Sequence, residues 1–426
     1  MTGAITNWAG NIRFSTDRLH RPASLAQLCE VVGGRAAAGV RLKVLGSGHS
    51  FNRVADTDGE LVSLAAMPPE IDIDPAAGTV WVAAGIRYGE LAVRLHEAGF
   101  ALHNMASLPH ISVAGSCATG THGSGDRNGG LATAVSGLEL VTADGTPRIL
   151  DRDHPDFPGA VVGLGALGVV TRLRLRIEPA YQVRQYVFDQ LPRAAVDEHW
   201  SEIFADGYSV SLFTDWTSRN FVTGWLKRRT DDGRPEPGAR WFGATAATGP
   251  RHPVPGMAGE TCTRQGGVPG PWHARLPHFR LEFTPSSGAE IQSEYLLPRD
   301  RLVEALGELD GIRDRIAAVV QTCEVRTVAA DDLWLSPAYG RDTVALHFTW
   351  LPDAAALSPV LAALERRLGP LSPRAHWGKE AGLDPAGGYE RLADFAALTR
   401  RYDPAGTFRN ALLDRWLSGL ESPAPR

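Results

Sequence analysis

Lysine is almost missing from this chain: Lys43, Lys227 and Lys379 are the only three among 43 basic residues, so arginine serves nearly everywhere a cation is needed. A retained lysine therefore asks why a compact ammonium with a tunable pKa is kept there. The four cysteines, Cys29, Cys117, Cys262 and Cys323, are widely spaced and form no CxxC pair. That excludes a disulfide framework and a zinc site, and a reducing compartment is the expectation. No run of about 18 apolar residues occurs, and the opening MTGAITNWAGNIRFST lacks a basic stretch followed by an apolar one. A cytoplasmic protein with no membrane partner is expected. The net charge of −5 and the lack of any Lys/Arg block leave no basic field for a phosphate backbone, which excludes nucleic acid as a partner.

What is present fits a folded protein of two or three packed units: 426 residues, 43% hydrophobic and 21% charged. Leu25, Leu28, Cys29 and Val32 recur at helical spacing, predicting a helix over 24–38, and a second is predicted over 88–98. Strands are predicted at 41–45, 60–64, 79–84, 138–142 and 169–177, with a hairpin turn at Asp144-Gly145. This mixture up to Pro179 reads as an α+β unit. From Ala180 the texture changes to aromatic-rich antiparallel strands at 208–214 and 220–226. A Pro/Gly-rich stretch over 234–277 follows, either an excursion or a mobile lid. Strands at 290–296, 322–328 and 343–351, helices over 298–320 and 352–368, and a last helix over 389–401 complete the reading. The expected division is 1–179, 180–385 and a C-terminal segment 386–426 that returns to the first unit. No internal repeat is detected.

Three constellations carry chemistry. Between His103 and Gly130 the run LPHISVAGSCATGTHGSG holds many small residues and almost no bulky side chain. Such a segment exposes backbone N–H groups to close approach, which suits a pyrophosphate, although a tight turn or flexible loop uses the same residues. Its spacing matches neither GxGxxG nor GxxxxGK[ST]. Gly46-Ser47-Gly48-His49-Ser50 is a second small-residue loop, and two such loops in one unit suggest a long dinucleotide gripped twice. The second constellation follows from strand geometry, where residues two apart share a face. Glu324 projects with Arg326, and His347 with Thr349, opposite Leu346, Phe348 and Trp350. If the two strands are neighbours, a carboxylate, a guanidinium, an imidazole and a hydroxyl converge; the bland alternative is a solvated face with an ordinary ion pair. The third is Arg374-Ala375-His376-Trp377-Gly378-Lys379, where a rare lysine stands beside an imidazole and an indole.

Taken together, the GSGHS loop, the SLPHISVAGSCATGTHGSG segment, Glu324-x-Arg326, the LHFTW strand and the HWGK run resemble the flavin-dependent alditol oxidases. These belong to the vanillyl-alcohol-oxidase family and are close to the sugar-acid lactone oxidases; the resemblance covers nearly the whole chain in order. It implies a two-domain α+β fold, an FAD-binding domain plus a substrate domain built on an antiparallel sheet flanked by helices. It implies FAD attached once and covalently through His49, held by Gly46, Ser47, Gly48, Ser50, Ser107, Ser112, Gly115, Thr119, Gly120, Thr121 and His122. Val170 would lie near the adenine end, with Thr349 and His376 against the flavin. Ser107, Glu324, Arg326, Thr349 and Lys379 match the positions that bind polyol in this family. Arg326 and Lys379 would stabilise alkoxide charge, and His347 would relay a proton. The implied reaction takes the terminal primary alcohol of xylitol or sorbitol to the aldose and reduces O2 to hydrogen peroxide, in a monomer and without a metal. An aldonolactone oxidase or dehydrogenase is the second reading, and a protein that stores flavin without catalysis the third. One departure is Gly48, where many relatives carry a bulkier residue.

Overall fold

The computed structural model describes residues 4–283 and 289–420, so the ends of the expected first and last segments lie outside the described residues. Ser24 accepts a hydrogen bond from the Gln27 N–H and starts helix Leu25–Ala37, as its spacing predicts. Two small sheets follow. Leu19–His20, Leu42–Val44 and Glu60–Val62 pair in parallel. Ile71–Asp74, Thr79–Ala83, Val169–Arg176, Val135–Val141 and Pro147–Asp151 form a five-stranded antiparallel sheet, with the turn at Asp144-Gly145 joining its edge hairpin. Along Val169–Arg176 the side chains of Val169, Thr171, Leu173 and Leu175 are buried, while Val170, Arg172 and Arg174 are half-buried and Arg176 is exposed. The buried face packs on helix Tyr88–Glu97 in one large apolar cluster.

A ten-stranded sheet occupies the middle of the chain. Ser209–Thr214 pairs with Phe221–Arg229 on one side and with Val320–Val328 on the other; Thr343–Trp350 and Ile291–Pro298 come next. The apolar face of these strands, with Val325, Leu346, Phe348 and Trp350, packs against helices Leu302–Asp310 and Ala354–Leu368. Helices and large antiparallel sheets together give the α+β class.

One expectation needs correction, and of the two readings of 234–277 the structure fits the first. The helix predicted over 298–320 is two helices, Leu302–Asp310 and Arg313–Ala317, because Gly311, which favours a helix stop, caps the first and Ile312 leaves helical geometry. The stretch 234–277 is an excursion: Ala244–Ala246 and Gly270–Pro271 add to strand Gln182–Leu191, and Pro253 accepts a hydrogen bond from Thr322 Oγ1 at 2.9 Å.

The chain's end returns to its beginning. Helices Leu392–Tyr402 and Ala411–Leu417 place Phe395, Leu398 and Leu413 in the same cluster as Leu91 and Leu95. Asn410 ties them down, donating through Nδ2 to the carbonyls of Arg53, Val54 and Asp56 and accepting from the Leu413 N–H. Replacing Asn410 by alanine strands these buried groups and is expected to cost roughly 2–4 kcal/mol. A urea unfolding curve checks this; an unchanged midpoint would contradict it.

Candidate active site

A cavity of about 520 Å³ lies between the first unit and the polar face of the large sheet. That volume is in the range of roughly 300–1,000 Å³ typical of ligand sites. Gly46, Ser47, Gly48, His49, Ser50, Ser107, Ser112, Gly115, Thr119, Thr121, His122 and Val170 line it from one side, and Glu324, Arg326, His347, Thr349, His376 and Lys379 from the other. Gly120 does not line it: its φ of +70° turns the chain and a Cβ there would meet Pro337 Cδ at 2.8 Å. The glycine is required by the turn.

The small-residue end is shaped for close approach. A Cβ on Gly46 or Gly115 would meet Ser112 Oγ at 2.9 and 2.7 Å, and that buried hydroxyl has no hydrogen-bond partner within the chain. Two glycine surfaces around an orphaned hydroxyl fit a phosphate-bearing group laid against the backbone. His49 follows Gly48, whose φ of +67° is the left-handed region that glycine adopts freely. The His49 ring packs on Trp8 at 4.4 Å between centroids and on Phe51 at 5.8 Å. Burial, then the charge of Lys379 and the neighbouring His110, pushes its pKa down to about 3, so the imidazole is neutral.

The polar end is one buried charge cluster. Strand pairing sets Glu324 opposite His347 and Thr322 opposite Thr349, so the expected convergence occurs. Arg326 Nη2 donates to Glu294 Oε1 at 2.6 Å, Nη1 reaches Ser107 Oγ at 3.4 Å, and Nε lies 3.5 Å from Glu324 Oε2. Nε is buried without a hydrogen-bond partner. Lys379 Nζ donates to Glu294 Oε2 at 2.7 Å and to His347 Nδ1. Because the ammonium only donates, a neutral His347 carries its proton on Nε2, 3.4 Å from Thr349 Oγ1. One Lys379 N–H remains for the cavity. Burial, then Lys379, pulls His347 down to about 4.

Glu294 is the residue that sequence reasoning missed. It is 1% exposed, pairs with His347 across the sheet, and lies beneath Arg326, Lys379 and, at 3.2 Å, His122. Burial alone would raise its pKa, but Lys379, His122 and Arg326 overcome that and hold the carboxyl well below the usual range. Its strand 290–296 was legible, and the spacing of two that pairs Gln292 with Glu294 was the available signal. His278 was also missed: its Nε2 lies 2.7 Å from Glu324 Oε1. Neither Lys43 nor Lys227 is an ordinary surface lysine, for both are 1% exposed and burial pulls each down to about 7.

Backbone stitches hold the two ends together. The Phe51 N–H donates to the Gly378 carbonyl, and Asn52 Nδ2 donates to the carbonyls of Trp377 and Lys379, both at 2.8 Å. The His376 N–H donates to the Glu294 carbonyl at 3.0 Å. Moving the His49 loop therefore moves Lys379.

Comparison with known proteins agrees with this layout. Residues 16–151 match the family described as FAD binding domain, and residues 289–416 the family described as D-arabinono-1,4-lactone oxidase. The chain is 55% identical to an alditol oxidase of a Streptomyces species over 98% of its own length and 100% of that protein. It is 29% identical to the L-gulono-1,4-lactone dehydrogenase of Mycobacterium tuberculosis, covering 95% and 97% of the two chains. Cholesterol oxidase from B. sterolicum superimposes with a TM-score of 0.80 at 13% identity over 98% of this chain and 97% of that one, which shows the shared fold. A chain alike from end to end to an alditol oxidase, with a matched FAD binding domain, belongs to the alditol oxidases of the vanillyl-alcohol-oxidase family of FAD-linked oxidoreductases.

Proposed function

We propose that the protein oxidises the terminal primary alcohol of xylitol- or sorbitol-like alditols to the aldose, with O2 as electron acceptor. The observation that carries this reading is the Glu324, Arg326, Lys379, His347 and Thr349 cluster: two cations and several hydroxyl-pairing groups on one cavity wall, with few apolar side chains among them. FAD, when bound, supplies the hydride acceptor and returns the electrons to O2 as hydrogen peroxide. Gly46 to Ser50, with Ser107, Ser112, Gly115, Thr119, Thr121 and His122, would hold it, Val170 would meet its adenine end, and Thr349 and His376 would lie against its ring.

The chain's own residues do the remaining work. Glu324, Thr349 and Ser107 pair with successive hydroxyls, so specificity comes from polar matching, and an analogue lacking a hydroxyl leaves a buried group unpaired. The N–H of Lys379 and the unpaired Nε of Arg326 stabilise charge developing on the reacting oxygen. Proton loss runs through Lys379: one of its protons passes to His347 Nδ1, and the neutral amine so formed takes the hydroxyl proton, so the net transfer is from the carbinol to the imidazole. The resulting imidazolium faces Glu294 Oε2, 3.7 Å away. We assign the units as 1–179 for the cofactor, 180–385 for the substrate and 386–426 returning to the first, in a monomer working in the cytoplasm.

Purified protein should release peroxide from polyols; release from sugar lactones alone would replace this reading with a lactone oxidase. The covalent bond is proposed at His49, where a neutral imidazole packs against Trp8 and Phe51. On denaturation the flavin colour is expected to stay with the wild-type polypeptide and to wash out of His49→Ala. Colour lost from the wild type would contradict the linkage.

A further inference from the structure

Behind Glu324, on the side away from Arg326, stands a chain of donors that the reaction as described leaves unused. Glu324 is ionised, burial notwithstanding, because Arg326 and His278 overcome it, so both its oxygens only accept. The His278 nitrogen 2.7 Å from Glu324 Oε1 must then be the protonated one, Nε2. The other nitrogen, Nδ1, lies 3.2 Å from Lys227 Nζ. Lys227 also reaches the carbonyls of Leu276 and Pro277. Three acceptors surround this nitrogen. An ammonium has three N–H groups for them, whereas a neutral amine would aim its lone pair at one of them. With the ring neutral, the state its burial favours, the arrangement has one proton order: Lys227 donates to His278 Nδ1, and His278 Nε2 donates to Glu324.

The order is set in a rigid frame. Lys227, His278 and Glu324 are all at most 5% exposed. The His278 ring meets Trp225 and Phe213 edge to face at 5.1 and 5.6 Å. Its backbone N–H donates to the Ser107 carbonyl at 3.0 Å, so one residue fixes two groups proposed to bind polyol, Glu324 through its ring and Ser107 through its backbone.

We propose that Lys227 and His278 form a buried positioning relay that fixes the proton on His278 Nε2, anchors Glu324 Oε1, and leaves the second carboxylate oxygen aimed at a polyol hydroxyl. This rests on the alditol reading above and deepens it: the relay sets affinity for the hydroxyl chain, while Lys379 and Arg326 act on the reacting oxygen. Without Lys227 the buried Nδ1 loses both its donor and the cation that opposes its protonation, so the ring is free to take a second proton or to turn away from the carboxylate. Outer partners that fix a histidine tautomer are commonly worth about 10–100-fold.

The test uses flavin-loaded enzyme. His278→Leu and Lys227→Met are each expected to raise the KM for xylitol about 10-fold or more with kcat within about 3-fold, the pattern of lost uniform binding. His278→Gln, whose amide can still donate to Glu324, is expected to recover most of the KM. A purely structural role would instead lower flavin content and leave KM unmoved in the molecules that load. Nitrogen NMR of histidine-labelled protein, with the His278 signal identified by its loss in His278→Gln, is expected to show Nε2–H with a bare Nδ1 in the wild type and a protonated Nδ1 in a share of the Lys227→Met molecules. An Nδ1–H wild type, or an unchanged KM in loaded Lys227→Met, overturns the relay. The NMR arm holds even where a leucine variant fails to fold, and needs no substrate. A wild type inert to polyols would overturn the alditol reading while the tautomer still decides the relay.

Discussion

Lys379→Met is expected to lower kcat on polyols by about 100- to 1,000-fold, the usual loss when one preorganised donor is removed from a developing oxyanion. Two of the chain's three lysines line the cavity, but Lys43 is tied to the carbonyls of Leu164, Gly165 and Phe408, and Lys379 is the one on the polar wall. Two of its three N–H groups are committed, to Glu294 and His347, which leaves the third directed by those two. Methionine keeps the length of the side chain and removes the charge, the cavity-facing donor and the route by which His347 receives a proton. Lys379→Arg should not restore the rate, because a planar guanidinium cannot place one N–H on each of these partners and a third on the substrate. The measurement is single-turnover reduction of the bound flavin by xylitol, followed in a stopped-flow instrument. A rate constant unchanged in Lys379→Met would remove Lys379 from the chemistry.

Glu294→Gln is expected to be nearly as severe through a different cause. Glu294 is the common anion of Arg326 and Lys379. Glutamine keeps the shape but leaves two buried cations facing each other with Glu324 as the remaining acid beside them. Breaking a buried pair in this way costs roughly 3–5 kcal/mol of stability, and kcat/KM should fall about 100-fold as both donors drift. The pH dependence carries the distinguishing sign. Burial and Arg326 push the Lys379 pKa down, and Glu294 pushes it up. Removing Glu294 therefore lowers the pKa further, Lys379 loses its proton at a lower pH, and the alkaline limb of the kcat profile moves toward neutrality. A urea midpoint and a kcat–pH profile check both parts; a limb that stays in place would show that Lys379 does not depend on Glu294.

Much of the polar cavity wall was legible because strands have a period of two. Glu324 with Arg326, and His347 with Thr349, alternate against clearly apolar residues, and pairing then brings the two strands together in register. Glu294 lies in a strand that was equally legible, but its two faces read Gln292, Glu294, Leu296 against Ile291, Ser293, Tyr295, with no contrast to say which one meets a cavity. His278 sits in irregular chain, where no period ties a side chain to a direction. Lys227 stands in a Lys-Arg-Arg run that resembles a solvated stretch, yet its carbonyl cage is built from residues about 50 positions away. Long-range caging of this kind leaves no local pattern. The helix boundary was lost at Gly311 for the opposite reason, since a purely local stop was overridden in the reading by a long apolar periodicity on both sides. The small-residue loops proposed to face the cofactor's phosphates were legible in composition, and the structure separates Gly120, whose task is a turn against Pro337, from Gly46 and Gly115, which flank Ser112.

The central proposal is that the cavity wall of Glu324, Arg326, His347, Thr349 and Lys379 holds the terminal carbinol of an open-chain polyol, taking its proton while the hydride goes to the flavin. The most direct measurement is anaerobic titration of the purified flavoprotein with xylitol, followed by the flavin's visible absorbance. The account predicts full bleaching, recovery of the colour when air is admitted, and one peroxide and one aldose formed for each flavin cycled. A flavin that xylitol and sorbitol leave yellow, while a sugar lactone bleaches it, would contradict the account.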